Sequence, residues 1–203
     1  MKSSLSLLLA AALILMLTAC GVSGAPEETT LPPAAAESTG AAAPDTTEAP
    51  AETRKEYPET ISAAILVEGE PDRLMMDLFD GGSYVIYIPQ NDWTLTTEVR
   101  DGLLCDRWSL LWAPEVWLEV ISFGSMTQDQ ALEQLRLQNS DDTFTESGEG
   151  RFSLKDPQGR FFTDLTLVTD GSNTFSLMTR MPLEFGDGYA PRFRAMLDSF
   201  EIR

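Results

Sequence analysis

Apolar and polar positions alternate along most of the chain beyond Ile61, and the period of that alternation predicts the elements. Ile61 to Val67 is apolar and partly β-branched. It ends at Glu68-Gly69-Glu70-Pro71, a turn signal that closes a short first strand or an extended lead-in. Leu74 to Phe79 fits either a strand or a single helical turn. After Asp80-Gly81-Gly82, the run Ser83 to Ile88 sets Tyr84, Ile86 and Ile88 on one face of a strand, and Pro89 ends it. Trp93 to Val99 predicts another strand, closed by Asp101-Gly102. Leu103 to Trp112 follows, with Trp108, Leu110 and Trp112 at alternate positions before Pro114. Val116 to Phe123 is apolar on both faces apart from Glu119 and Ser122, the mark of a strand near the middle of a sheet covered on both sides.

The period changes after Gly124. Thr127 and Gln130 form a capping box, and Ala131, Leu132 and Leu135 form an apolar stripe, so a helix is predicted up to the polar loop Asn139-Ser140-Asp141-Asp142. Residues 143–160 carry weak strand signals around Phe152 and Leu154. Arg160 to Thr169 and Thr174 to Met181 are the clearest strands, joined by the hairpin turn Asp170-Gly171-Ser172-Asn173. Phe193, Met196, Leu197 and Phe200 recur at helical spacing, which predicts a closing helix from Ala190 to Ser199 with Pro191 in its first turn. Phe200-Glu201-Ile202 reads as a short extended tail. Strand meanders with two separated helices predict an α+β domain, a twisted and mostly antiparallel sheet with helices packed on its faces.

Upstream of this domain, expected over residues 60–203, the pattern is different. Lys2 precedes a short apolar run, Leu5 to Leu17, and Thr18-Ala19 leads into Cys20. That layout is a secretory signal over residues 1–19, and its apolar run falls short of the about 20 residues that span a bilayer. Leu17-Thr18-Ala19-Cys20 resembles the bacterial lipobox, which implies diacylation of Cys20 and a lipid-anchored protein on the extracytoplasmic side of the cell membrane. Residues 20–59 are Ala, Pro, Thr, Glu and Ser with almost no large apolar side chain, a composition that cannot offset chain entropy by burial. They predict a disordered tether; roughly 40 residues at about 3 Å each would reach about 100 Å from the membrane.

Two segments carry a family resemblance. Tyr87-Ile88-Pro89-Gln90-Asn91-Asp92-Trp93 and the terminal Arg192-Phe193-Arg194-Ala195-Met196-Leu197-Asp198-Ser199-Phe200, with a paired hairpin between them, resemble the PsbP-like (Mog/PsbP-type) superfamily. The resemblance spans roughly Tyr84 to Ile202. It implies an α/β/α sandwich around an antiparallel sheet, and a protein that docks to others rather than one that catalyses.

Charge and composition narrow the chemistry. Against 32 acidic residues stand 14 basic ones, a net charge of −18, which disfavours nucleic acid as a partner and leaves the anchor without electrostatic help at an anionic membrane. With no histidine in the chain, Ser-His-Asp and Cys-His catalysis and histidine-bearing zinc sites are excluded. Cys105, the one cysteine beyond Cys20, has no histidine or second thiol to activate it and reads as a small core residue. No motif calls for a cofactor. Trp93, Trp108, Trp112 and Trp117 lie within 25 positions and could form an aromatic platform for a sugar, peptide or partner, or else pack the core. Asp141-Asp142, the 170–173 turn and Asp187-Gly188 are oxygen-rich, but none has the spacing of a calcium loop. Asp77 and Glu119 are the acids most embedded in apolar runs and are expected at solvent-facing strand positions. The function expected is therefore a lipid-anchored, non-catalytic binding or docking module for an envelope protein or extracellular ligand. The alternative is a carboxylate-based hydrolase of cell-wall or extracellular glycans, which needs two acids facing each other across a cleft.

Overall fold

The computed structural model describes residues 55–203; the signal, Cys20 and the tether as far as residue 54 lie outside the described residues. Eleven strands and two α-helices follow in order among the described residues: β1 Thr60–Val67, β2 Glu70–Asp80, β3 Tyr84–Pro89, β4 Trp93–Arg100, β5 Leu103–Leu110, β6 Trp117–Ser122, α1 Gln128–Gln138, β7 Thr143–Gly148, β8 Arg151–Lys155, β9 Phe161–Thr169, β10 Thr174–Pro182, α2 Gly186–Asp198 and β11 Glu201–Ile202. They make two sheets, a small one ordered β1-β2-β3-β11 and a seven-stranded one ordered β4-β5-β6-β10-β9-β8-β7. Every strand pairing is antiparallel.

The α+β architecture expected from the periodicity is the one found, with two sheets where one was expected. The physical reason lies at Gln90–Asp92. Pro89 ends β3, and Asn91 and Asp92 both take positive φ (66° and 62°), so the chain turns out of the small sheet before β4 begins. Strand β6 holds the middle position predicted for it, between β5 and β10, with side chains in a core on either face.

One core lies between the two sheets and against α2, built from Met76, Tyr84, Ile86, Trp108, Leu118, Phe175, Leu177, Phe193 and Met196. The other lies under α1 and contains Cys105, Ile121, Ala131, Leu135, Leu154, Leu165 and Met178. The capping box is present, with Thr127 Oγ1 accepting from the Gln130 backbone and Gln130 Oε1 accepting from the Thr127 N–H at 2.9 Å.

Several boundaries move. Leu74 to Phe79 is strand, inside a β2 that already starts at Glu70, because Glu68 and Gly69 alone make the turn with φ of 53° and 86°. Strand β5 stops at Leu110, so Trp112 leaves the sheet; Leu110 and Val116 close the connection through a 3.0 Å backbone bond. Helix α2 starts at Gly186, directly after a 3-10 turn over Leu183–Phe185, which puts Pro191 inside it rather than in its first turn. Proline there removes the bond to the carbonyl of Asp187. The end of the expected tether is fixed to the domain. Lys55 pairs with Glu201, Tyr57 donates to Glu201 at 2.8 Å, and the Tyr87 hydroxyl donates to the Pro58 carbonyl at 2.8 Å. Tyr57 supplies the aromatic anchor that the preceding stretch lacks.

Candidate functional site

Strands β5 and β6 carry much of the domain's polar chemistry, because alternate residues on each face opposite sides of the large sheet. On the side toward the small sheet, Asp106 is a buried acid in an apolar core. Its Oδ2 accepts a 2.7 Å bond from the Tyr84 hydroxyl and its Oδ1 a 2.6 Å bond from Thr97 Oγ1. Tyr84 belongs to β3, so this pair ties the two sheets together across their core. Burial first, and the neighbouring carboxylate second, push the Tyr84 hydroxyl far above its ordinary range. A buried carboxylate needs such partners, and these two make Asp106 a structural acid. The sequence pattern did not single it out, since Asp106 sits next to Arg107 in a strand read mainly for its tryptophan.

On the opposite side, Glu119 is 2% exposed, which corrects the expectation of a solvent-facing position. Its Oε2 accepts from Arg107 Nε at 2.9 Å and Arg107 Nη2 at 2.6 Å, and lies 2.8 Å from Arg100 Nη2. The two-residue turn Asp101-Gly102, with φ of 53° and 81°, brings the end of β4 back along β5 and places Arg100 beside that carboxylate. Arg107 lies 4.4 Å over the Trp117 ring. Arg100 Nη2 also comes within 3.5 Å of Cys105 Sγ, and burial pushes the Cys105 thiol up while that guanidinium partly opposes the shift. Cys105 is the buried core residue expected. Arg100, Arg107, Arg180, Trp117 and Glu119, with the end of α1, enclose a groove of about 470 Å³. Asp77, by contrast, is exposed and accepts from Thr60 and Gln90.

The four tryptophans do not share a face. Trp108 is 4% exposed and meets the Phe79 ring edge-on at 4.9 Å, inside the core between the sheets. Trp93 is half-buried against Phe193 at 5.8 Å. Trp117 lies on the opposite side, under Arg107. Trp112 alone of the four is well exposed, at 56%. Its ring meets Phe185 at 5.8 Å and Tyr189 at 6.1 Å, and those two rings meet each other at 5.9 Å. Leu111, next to Trp112 in the chain, and Leu183, two residues before Phe185, are 68% and 58% exposed. A platform of Trp93, Trp108, Trp112 and Trp117 is therefore not what the fold builds. It builds an aromatic end from Trp112, Phe185 and Tyr189. The signal for the two added residues was weak: they flank Gly186 and Gly188, which read as a loop.

A second concavity, of about 400 Å³, lies between β9, β10 and α2 and is lined by both Asp164 and Asp198. Burial raises the Asp164 carboxyl, opposed by a 3.1 Å bond from Ser153 Oγ and by the charge of Arg194. Of the oxygen-rich loops, the 170–173 turn is satisfied internally: Asp170 Oδ1 accepts from the N–H groups of Ser172 and Asn173, each at 2.7 Å. Asp187 sits in the first turn of α2. Among the described residues no cluster of three or more acidic, cysteine or histidine side chains is arranged to hold a metal ion.

No family model matches the chain, and no curated protein does. The solution structure of cyanobacterial PsbP from Synechocystis sp. PCC 6803 is similar over 63% of this chain and 92% of its own, at 12% identity and a TM-score of 0.47. A crystal structure from Bacteroides thetaiotaomicron VPI-5482 is similar over 60% of this chain and 45% of its own, at 14% identity and a TM-score of 0.37. At such similarity neither ligand nor reaction follows from either likeness.

Proposed function

We propose that this protein is a lipid-anchored extracytoplasmic binding module that presents its aromatic end to an envelope protein or extracellular ligand. Trp112 carries the proposal. A tryptophan ring held by Phe185 and Tyr189, yet largely open to water among exposed Leu111 and Leu183, costs solubility and gains nothing for the core. Held aromatic rings of this kind contribute contact area at little loss of side-chain entropy, which suits them to binding. The anchor rests on Cys20 and the apolar run before it. A photo-reactive side chain at position 111 of the full chain, beside an intact Trp112 and expressed in cells, is expected to capture a discrete partner that the same group at Val99, also exposed, does not. Identical capture from both positions, or none from position 111, removes the aromatic end from the account. Palmitate incorporation is expected to vanish in Cys20→Ser, and its persistence removes the anchor.

A hydrolase has one observation in its favour, the cleft in which Asp164, with its raised carboxyl, faces the same space as Asp198. Glycan cleavage by the purified chain that disappears in Asp164→Asn is the result that would move the proposal there.

A further inference from the structure

The arginine-walled groove beside α1 is the part of the domain whose composition runs most against the rest of the chain. Three of the chain's 14 basic residues, Arg100, Arg107 and Arg180, line this single groove, in a protein with 32 acids. Glu119 and Asp101 are the acids within it. Glu119 offers a single oxygen, Oε2, to both Arg100 and Arg107, while Asp101 is engaged at the rim by Gln138 Nε2 at 3.2 Å. The guanidiniums therefore outnumber the carboxylates by one, and several donors are left over. Arg100 Nε is buried without a hydrogen-bond partner among the described residues. An unmade donor of this kind costs folding free energy. Arg107 is braced over Trp117 and Arg180 over Phe161 at 4.2 Å, so two of the three forks are already ordered before anything binds. A volume of about 470 Å³ falls within the range of small-molecule sites.

We propose that this groove binds a small organic oxyanion, a carboxylate or a phosphate, gripped by Arg100, Arg107 and Arg180. This site is separate from the aromatic end and does not depend on what binds there. Glu119 holds two of the forks in place while the site is empty and competes for them when it is filled. Guanidinium forks match either oxyanion geometrically, so the shared chemistry is a pair of acceptor oxygens carrying negative charge.

The test is calorimetric titration of the full chain, in non-ionic detergent, with sodium succinate and separately with inorganic phosphate, ionic strength being held constant with sodium chloride. One-site binding with a dissociation constant at or below about 1 mM is expected for one of the two, which then identifies the class of ligand. Arg180→Gln is expected to weaken it by about tenfold, a typical loss for one charged contact. Glu119→Gln is expected to tighten it by a similar factor, since the competing charge goes while the side chain keeps its shape. A purely structural cluster predicts the reverse for Glu119→Gln: lower stability and no gain in binding. The proposal fails if neither anion saturates, if Arg180→Gln binds as the parent does, or if Glu119→Gln binds more weakly while its near-ultraviolet circular dichroism stays native. Arg180 makes no ion pair with Glu119 among the described residues, so its variant stays informative even where Glu119→Gln unfolds.

Discussion

The two sides of the seven-stranded sheet are covered unequally, and the difference shows where an apolar core gives way to polar chemistry. One side has a second sheet and α2 against it. There Tyr84, Phe175 and Phe200 form a mutual aromatic cluster with centroids 5.3 to 5.5 Å apart, and the buried acid Asp106 is held by two hydroxyls. Among the described residues the other side has α1 alone, 11 residues long. Such a helix extends about 16 Å, whereas seven strands span roughly 30 Å. Beside its end the sheet is completed by Arg100, Arg107, Trp117 and Glu119 as well as by the aliphatics that α1 covers. Hydrophobic cover decides where the groove can exist.

Phe175→Ala should make the largest difference between the two sides. A fully buried phenylalanine between two layers leaves a cavity that neither sheet can close, at a cost of about 4–5 kcal/mol. Leu135→Ala under the lone helix should cost less, about 2–3 kcal/mol, because α1 can settle toward the gap. Urea midpoints at unchanged slope measure both, and equal losses would break the comparison. Next in size is Asp106→Ala, expected to cost about 1–3 kcal/mol by orphaning the Tyr84 hydroxyl, with a smaller loss when Tyr84→Phe is already present.

A pH dependence sharpens the same contrast. The folded state holds the Tyr84 proton far above the unfolded value of about 10. Its contribution to stability is thus complete below about pH 10 and lost as pH rises further, because only the unfolded chain releases the proton. The urea midpoint should fall above pH 10 in the parent and fall less steeply in Tyr84→Phe. On the α1 side, Thr127→Ala removes one half of the capping box and should cost about 1 kcal/mol, read from the thermal midpoint. Trp112→Ala should alter stability least, by under about 0.5 kcal/mol, while abolishing capture at the aromatic end.

Much of this was legible in the order of residues. The capping box, the 170–173 hairpin, the middle position of β6 and the apolar stripe of α2 all follow from local period and turn chemistry, which act over a few residues. Cys105 was legible for a negative reason, the absence of any partner to activate it. The site residues were less so. Trp93, Trp108, Trp112 and Trp117 look alike as letters, and what separates them is which layer happens to cover each one. Phe185 and Tyr189 join Trp112 only because β5 ends at Leu110 and α2 begins early, at Gly186.

The sequence by itself determined the class of fold, both helices and the clearest strands, the acidic composition and the exclusion of histidine chemistry, because composition and local periodicity need no knowledge of neighbours. Tertiary structure alone decided that Glu119 is buried between Arg100 and Arg107, that Asp106 links the sheets, and that a single tryptophan faces solvent. Those outcomes depend on pairings such as Arg107↔Glu119 across β5 and β6, and on how far one short helix can reach across a wide sheet. Burial and charge pairing are properties of residues far apart in the chain, and only the closed fold brings them together.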